Sequence, residues 1–164
     1  MKEIYILRHA KSSWDNINLA DFDRPLAKKG IDDAKKLCSF LKKHKFNAAK
    51  VICSNAKRAK ETFDLTADGF QFLIDDATYT DELYFGNIDT VIEKIKETEE
   101  ELKNILIVGH NPTLHYLVEL LTNKTIDRFT TCNLAIISHD GEWISLNSQK
   151  CRLRSLIKPK ELRN

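Results

Sequence analysis

Residues 104–109, "NILIVG", set four branched apolar side chains in a row with no polar residue among them. A strand with one face in water alternates apolar and polar, so an unbroken run this short is a strand covered on both faces. Such strands belong to sheets flanked by helices on both sides. The rest of the chain supplies the matching parts. Residues 2–7 and 50–54 read as further short buried strands. Residues 28–43 carry Ile31, Ala34, Leu37, Cys38 and Leu41 at the three-and-four spacing of an amphipathic helix, and 56–67 is helix-like. "FQFLI" (70–74) reads as a strand, and 87–103 as a helix with Val91, Ile92, Ile95 and Leu102 on one face. Another helix starts near Pro112, a residue suited to a first turn, with Leu114, Leu117, Val118 and Leu121 on one side. In "NLAIISHDGEWISL" (133–146) two apolar runs flank Asp140-Gly141, which predicts a hairpin. The expected fold class is α/β, a three-layer α/β/α sandwich with a mixed, mostly parallel central sheet, and 1–164 reads as a single domain.

Composition narrows the function classes. With 42% hydrophobic and 30% charged residues the chain suits a soluble globular protein. Its longest apolar runs are too short to span a bilayer, and the N-terminal "MKEIYIL" lacks the long apolar segment of a signal peptide. A cytoplasmic monomer with no membrane partner is the expectation. Cys38, Cys53, Cys132 and Cys151 are widely spaced and form no C-x-x-C pair, so free, mostly buried thiols are expected and no metal site. His110 and His115 lie five apart and miss the register of a helical ligand pair. The glutamates at 97 and 99–101 read as a solvated face. Net charge is +2, but the last fifteen residues alone hold +5, leaving the remainder acidic. That basic tail reads as an edge strand with a solvated face, though its apolar alternation is imperfect. Nucleic-acid binding is disfavoured, because Trp143 is the one aromatic near it and gives no stacking platform.

Three strand ends share a pattern. Leu7 gives way to Arg8-His9, Cys53 to Ser54-Asn55-Ala56-Lys57-Arg58, and Val108 to Gly109-His110-Asn111. Ligands of open α/β sheets bind outside the carboxyl ends of the strands. If the three strands are parallel neighbours, Arg8, His9, Arg58 and His110 converge. Two guanidiniums and two imidazoles then suit a dianionic phosphoryl group, since arginine matches phosphate oxygens bidentately. A helix N-terminus just after His110 adds positive potential. No P-loop pattern is present.

The blocks "LRHAKSSW", "DFDRPLAKKG", "CSNAKRAKET", "DELYFG" and "LIVGHNPTLHYLV" together resemble the histidine phosphatase superfamily, whose fold is that of phosphoglycerate mutase. More narrowly they resemble its SixA-type phosphohistidine phosphatase branch. Ala10 stands where the wider superfamily has glycine after Arg-His, which suits that branch and argues against mutase chemistry. The resemblance implies His9 as a nucleophile that is transiently phosphorylated. Arg8, Arg58 and His110 would bind the phosphoryl oxygens, and Arg24 would add a further phosphate contact. Glu82 matches the position of an acid that protonates the leaving oxygen, with Asp15, Asp21 and Asp81 as other candidates. No cofactor and no metal are implied. The substrate class implied is a phosphorylated protein of the histidine-phosphotransfer type. A small phosphorylated metabolite, or a phosphate-binding module without catalysis, are the alternatives.

Overall fold

The central sheet of the computed structural model, which describes residues 1–162, runs in the order β3-β2-β4-β1-β5-β6. Its strands are β1 (Lys2–Arg8), β2 (Val51–Ser54), β3 (Thr78–Thr80), β4 (Asn104–Gly109), β5 (Leu134–His139) and β6 (Arg152–Ile157). β1, β4, β2 and β3 are parallel, β5 runs antiparallel to β1, and β6 antiparallel to β5. The helices are α1 (Lys28–Lys43), α2 (Lys57–Thr66), α3 (Glu82–Phe85), α4 (Ile88–Lys96) and α5 (Thr113–Thr122).

Strand pleating sorts the core into two layers. In β4, Leu106 and Val108 join Tyr5, Leu7, Val51 and Cys53 under Leu37, Leu41 and Phe63 of α1 and α2. Ile105 and Ile107 point the other way, with Ile4, Ile6 and Ile52, against Ile95 of α4 and Leu117 and Leu121 of α5. All six residues of β4 are buried, as a strand covered on both faces requires. The result is the expected three-layer sandwich with a mixed, mostly parallel sheet. β2, β4 and β1 are adjacent and parallel, so their three carboxyl ends open on one edge of the sheet.

Several local expectations are corrected. "FQFLI" forms no strand: Phe70 is fully buried in the turn that follows α2, with its N–H on the Thr66 and Ala67 carbonyls. Gly69 lets this turn press on α1, since a Cβ there would stand 2.8 Å from Leu41 Cβ. The edge strand is instead the three-residue β3. α4 stops at Lys96, so the acidic run lies beyond the helix, with Glu97, Glu99 and Glu101 exposed as expected. Glu100, still partly exposed, pairs with Lys2 and accepts the Trp143 N–H at 3.0 Å. The Asp140-Gly141 turn leads into a short 3-10 turn at Trp143–Ser145, not into a strand. Trp143 and Leu146 plug the core there, and β5 pairs with the basic tail segment β6. The imperfect alternation of that tail has a physical cause. Ile136 pairs with Ser155 and Ile137 with Leu153, so Arg154 is the extra residue of a bulge. Arg163 and Asn164, the end of the tail, lie outside the described residues. The four cysteines are free and buried.

Candidate active site

β1 delivers Arg8 and His9 to the open edge of the sheet, and β4 delivers His110. α2 begins one residue before Arg58 and turns that side chain back over β1. These four residues, with Lys11, Ser12, Trp14, Arg24, Asn111 and Thr131, line one cavity of about 310 Å³. A larger hollow of about 790 Å³ lies along the exposed face of α1 among Lys28, Lys29, Asp32 and Asp33. Lys28 and Lys29 there pair with Asp32 and Asp33 one turn on, and no histidine or arginine lines it.

His9 is oriented from both ring nitrogens. The Ala10 carbonyl, 2.7 Å from Nδ1, can only accept, so Nδ1 carries the ring proton. The lone pair then sits on Nε2, which Arg58 Nε approaches to 3.4 Å. Ala10 is itself tied down, its N–H donating to Thr62 Oγ1 at 2.9 Å while that hydroxyl donates to the Arg58 carbonyl at 2.7 Å. Thr62 therefore couples the residue after the histidine to the turn of α2 that carries Arg58. Burial first, and then His110, Arg58 and Arg8, hold the His9 pKa down at about 3, against the pull of the Ala10 carbonyl. Desolvation is the leading cause, ahead of the charges of Arg58 and Arg8. The ring is neutral at pH 7.

His110 lies beside it, with ring centroids 5.1 Å apart. Its Nε2 is 2.8 Å from Ser54 Oγ, and burial and Arg58 lower its pKa to about 4. Ser54 Oγ accepts the Ala56 N–H, and its own proton has Nε2 as its acceptor within reach. With Ser54 donating, the neutral ring carries its proton on Nδ1. That Nδ1 and Arg8 Nε are both buried and have no hydrogen-bond partner. Arg8 Nη1 is anchored on the Phe129 carbonyl, which also accepts from Asn111 Nδ2.

Asp21, in the loop between β1 and α1, brackets the arginines. Its carbonyl and carboxylate accept from Arg58 Nη1 and Nη2 at 2.7 and 2.9 Å, and Oδ1 accepts from Arg24 at 3.0 Å. Tyr84 Oη donates to Oδ2 at 2.6 Å. The Tyr84 hydroxyl above all, then Arg24 and Arg58, lower the Asp21 pKa to about 2. It is ionised at neutral pH and has no proton to give. Glu82 is not among the residues lining the cavity. It opens α3 with its carboxylate 2.9 Å from Lys94 Nζ and largely in solvent. Asp81 accepts from Asn55 Nδ2, and Asp15 is exposed. Among the described residues no carboxylate lines the cavity, and no cluster of three or more His, Cys, Asp or Glu could hold a metal ion. No described helix is long and apolar enough to cross a membrane.

The model of the histidine phosphatase superfamily (branch 1) matches residues 4–102. The chain belongs to that superfamily. It is similar to an uncharacterised protein of Mycobacterium leprae, at 32% identity over 94% of this chain and all of that one. It is also similar to phosphohistidine phosphatase SixA of Escherichia coli, at 26% identity over 84% of this chain and 86% of SixA. Among solved structures, the protein histidine phosphatase SixA complexed with tungstate superposes with a TM-score of 0.84, at 26% identity, covering 98% of this chain and 99% of that one. The phosphoglycerate mutase-like fold and phosphatase class follow. His110 lies beyond the stretch that the family model matches, and the geometry places it beside His9 as the strand ends led one to expect. Ser54, Thr62 and the Phe129 carbonyl escaped sequence reasoning. Ser54 and Thr62 stand inside "CSNAKRAKET", and Thr62 sits four residues after Arg58 on one helical face, which is the signal that could have found it.

Proposed function

We propose that this phosphatase removes the phosphoryl group from N-phosphorylated histidine on a cytoplasmic signalling protein. In the first step His9 Nε2 attacks phosphorus, the Nε2–P bond forms and the P–N bond to the substrate ring breaks. The substrate imidazole, protonated on its distal nitrogen, keeps the bonding pair and leaves neutral. In the second step water attacks the phosphoryl group on His9, the P–O bond forms, the P–Nε2 bond breaks, and orthophosphate departs with the water proton passed to solvent. Arg8 Nε and His110 Nδ1 are donors already buried and aimed without partners, and with Arg58 they meet the phosphoryl oxygens. Donors fixed in place before charge develops contribute most in such transfers.

The observation that carries the substrate class is the absence of an acid from the cavity lining. Alkoxide leaving groups need a proton in the transition state, whereas imidazole, with a pKa near 6.5, leaves without a strong acid beside it. Asp21 is ionised, and Glu82 is held by Lys94. The test compares a histidine-phosphorylated protein with an alkyl phosphate in the presence of chelator. The expected kcat/KM ratio favours the phosphohistidine by about a hundredfold or more. An alkyl phosphate turned over equally well would contradict the assignment and favour a small metabolite.

A further inference from the structure

Trp14 is 72% exposed, yet one of its faces is covered. One face of its indole lies over the Arg24 guanidinium, with Cζ 3.2 Å from the ring centroid. Arg24 is in turn buried and held by every arm of its fork. Nε donates to the Ser13 carbonyl at 3.0 Å, Nη1 to Asp21 Oδ1 at 3.0 Å, and Nη2 to Ser12 Oγ at 2.5 Å. The loop thus uses a buried arginine to hold an exposed indole at one angle. Ile17, on the same loop, is 91% exposed with no such support. The fixed ring also lines the cavity that contains His9, Arg58 and His110.

In-line displacement places the leaving atom opposite His9 Nε2, which points it out of the buried floor toward the solvent side of the cavity. Trp14 is the exposed aromatic of the cavity lining. We propose that the open face of Trp14 is a stacking platform for the planar ring of the leaving group, and so selects ring-bearing phosphoramidates over ringless ones. This rests on the reading of the site as a phosphohistidine phosphatase. Stacking on an anchored aromatic loses little side-chain entropy, because Arg24 has already fixed the indole. The platform is sequence-tolerant, since any imidazole ring offers a π face.

The experiment measures kcat/KM for N-phosphoimidazole and for phosphoramidate, whose leaving group is ammonia, in the wild type, Trp14→Ala, Trp14→Phe and His9→Ala. The ratio of the two kcat/KM values is expected to fall about tenfold in Trp14→Ala, chiefly through KM because the ring is stacked before and during transfer. Trp14→Phe is expected to restore the ratio to within about threefold, as a flat ring should. A ratio that stays constant in Trp14→Ala while both rates fall would overturn the platform and leave Trp14 as a cover for Arg24 only. Wild-type turnover that persists in His9→Ala, or no turnover of either probe, would overturn the reading of the site and the platform with it.

Discussion

The two ends of the sheet both bury charge, and they treat it differently. At the amino ends of β1 and β4, Lys2 pairs with Glu100, whose carboxylate also takes the Trp143 N–H. Asn104 there accepts the Ala49 N–H at 2.6 Å and donates to the Asn47 carbonyl at 3.0 Å. At the carboxyl ends, Arg8 Nε, His110 Nδ1 and Asn133 Nδ2 are buried without partners. Thr98 Oγ1, near the opposite end, is the fourth such atom among the described residues. An unpaired buried donor costs roughly 1–3 kcal/mol. A fold that leaves a nitrogen of the Arg8 guanidinium and a nitrogen of the neutral His110 ring open in the cavity lining has placed that cost where an anion can remove it. Buried polar groups thus mean structure at one end and chemistry at the other, and what separates the two is whether the unpaired groups belong to the cavity lining.

The largest effect that sharpens this contrast is His9→Ala, expected to lower kcat/KM on a histidine-phosphorylated protein by more than about a thousandfold, since it removes the nitrogen assigned as nucleophile. Arg58→Lys comes next. It keeps the charge but loses the fork that holds Asp21 and faces His9, and a fall of about a hundredfold is expected in steady-state kinetics. At the other end of the sheet Glu100→Gln is expected to lower the melting temperature while kcat/KM stays within about twofold. A Glu100→Gln protein that melts normally but loses activity would break the comparison. Glu82→Gln is expected to change phosphohistidine turnover least, by less than about twofold, because its carboxylate lies outside the cavity with Lys94.

Acid pH probes the same contrast. The unfolded chain protonates histidine near 6.5, while burial holds His9 neutral down to about 3. Between those values the unfolded state binds more protons, so stability from this residue is complete above about pH 6.5 and falls as pH drops toward 3. The His9 ring signals in NMR are therefore expected to stay those of the Nδ1–H neutral tautomer from pH 8 to pH 5. Titration near pH 6.5 would mean that the ring is solvated and not held ready.

Much of this site was legible in the sequence because its key residues sit where apolar runs stop. Arg8, His9 and His110 follow buried strands directly, and Arg58 follows β2 after a short turn. Strand adjacency did the rest, and the run at 104–109 announced the central strand. What escaped was held by groups with no sequence signature. Ser54, Thr62 and the Phe129 carbonyl act through single hydroxyls or backbone atoms, and Asp21 looked like a proton source until its three donors were in view. "FQFLI" misled because a turn plugging a helix end and a short strand share the same apolar composition. The hairpin misled because Trp143 and Leu146 satisfied the core without pairing, leaving β5 to a more distant basic segment. Glu82 was placed by motif, yet a four-residue helix turned its carboxylate to Lys94.

The central claim is that His9 Nε2, neutral and facing buried unpaired donors, is the atom that takes the phosphoryl group. The most direct measurement is rapid quenching of the wild-type protein with a histidine-phosphorylated protein, followed by mass-spectrometric localisation of the transferred group. The account predicts an acid-labile phosphoryl adduct on His9 within the first turnover, and none in His9→Ala. An adduct on any other residue, or full turnover with no adduct on His9 at any time point, would contradict it.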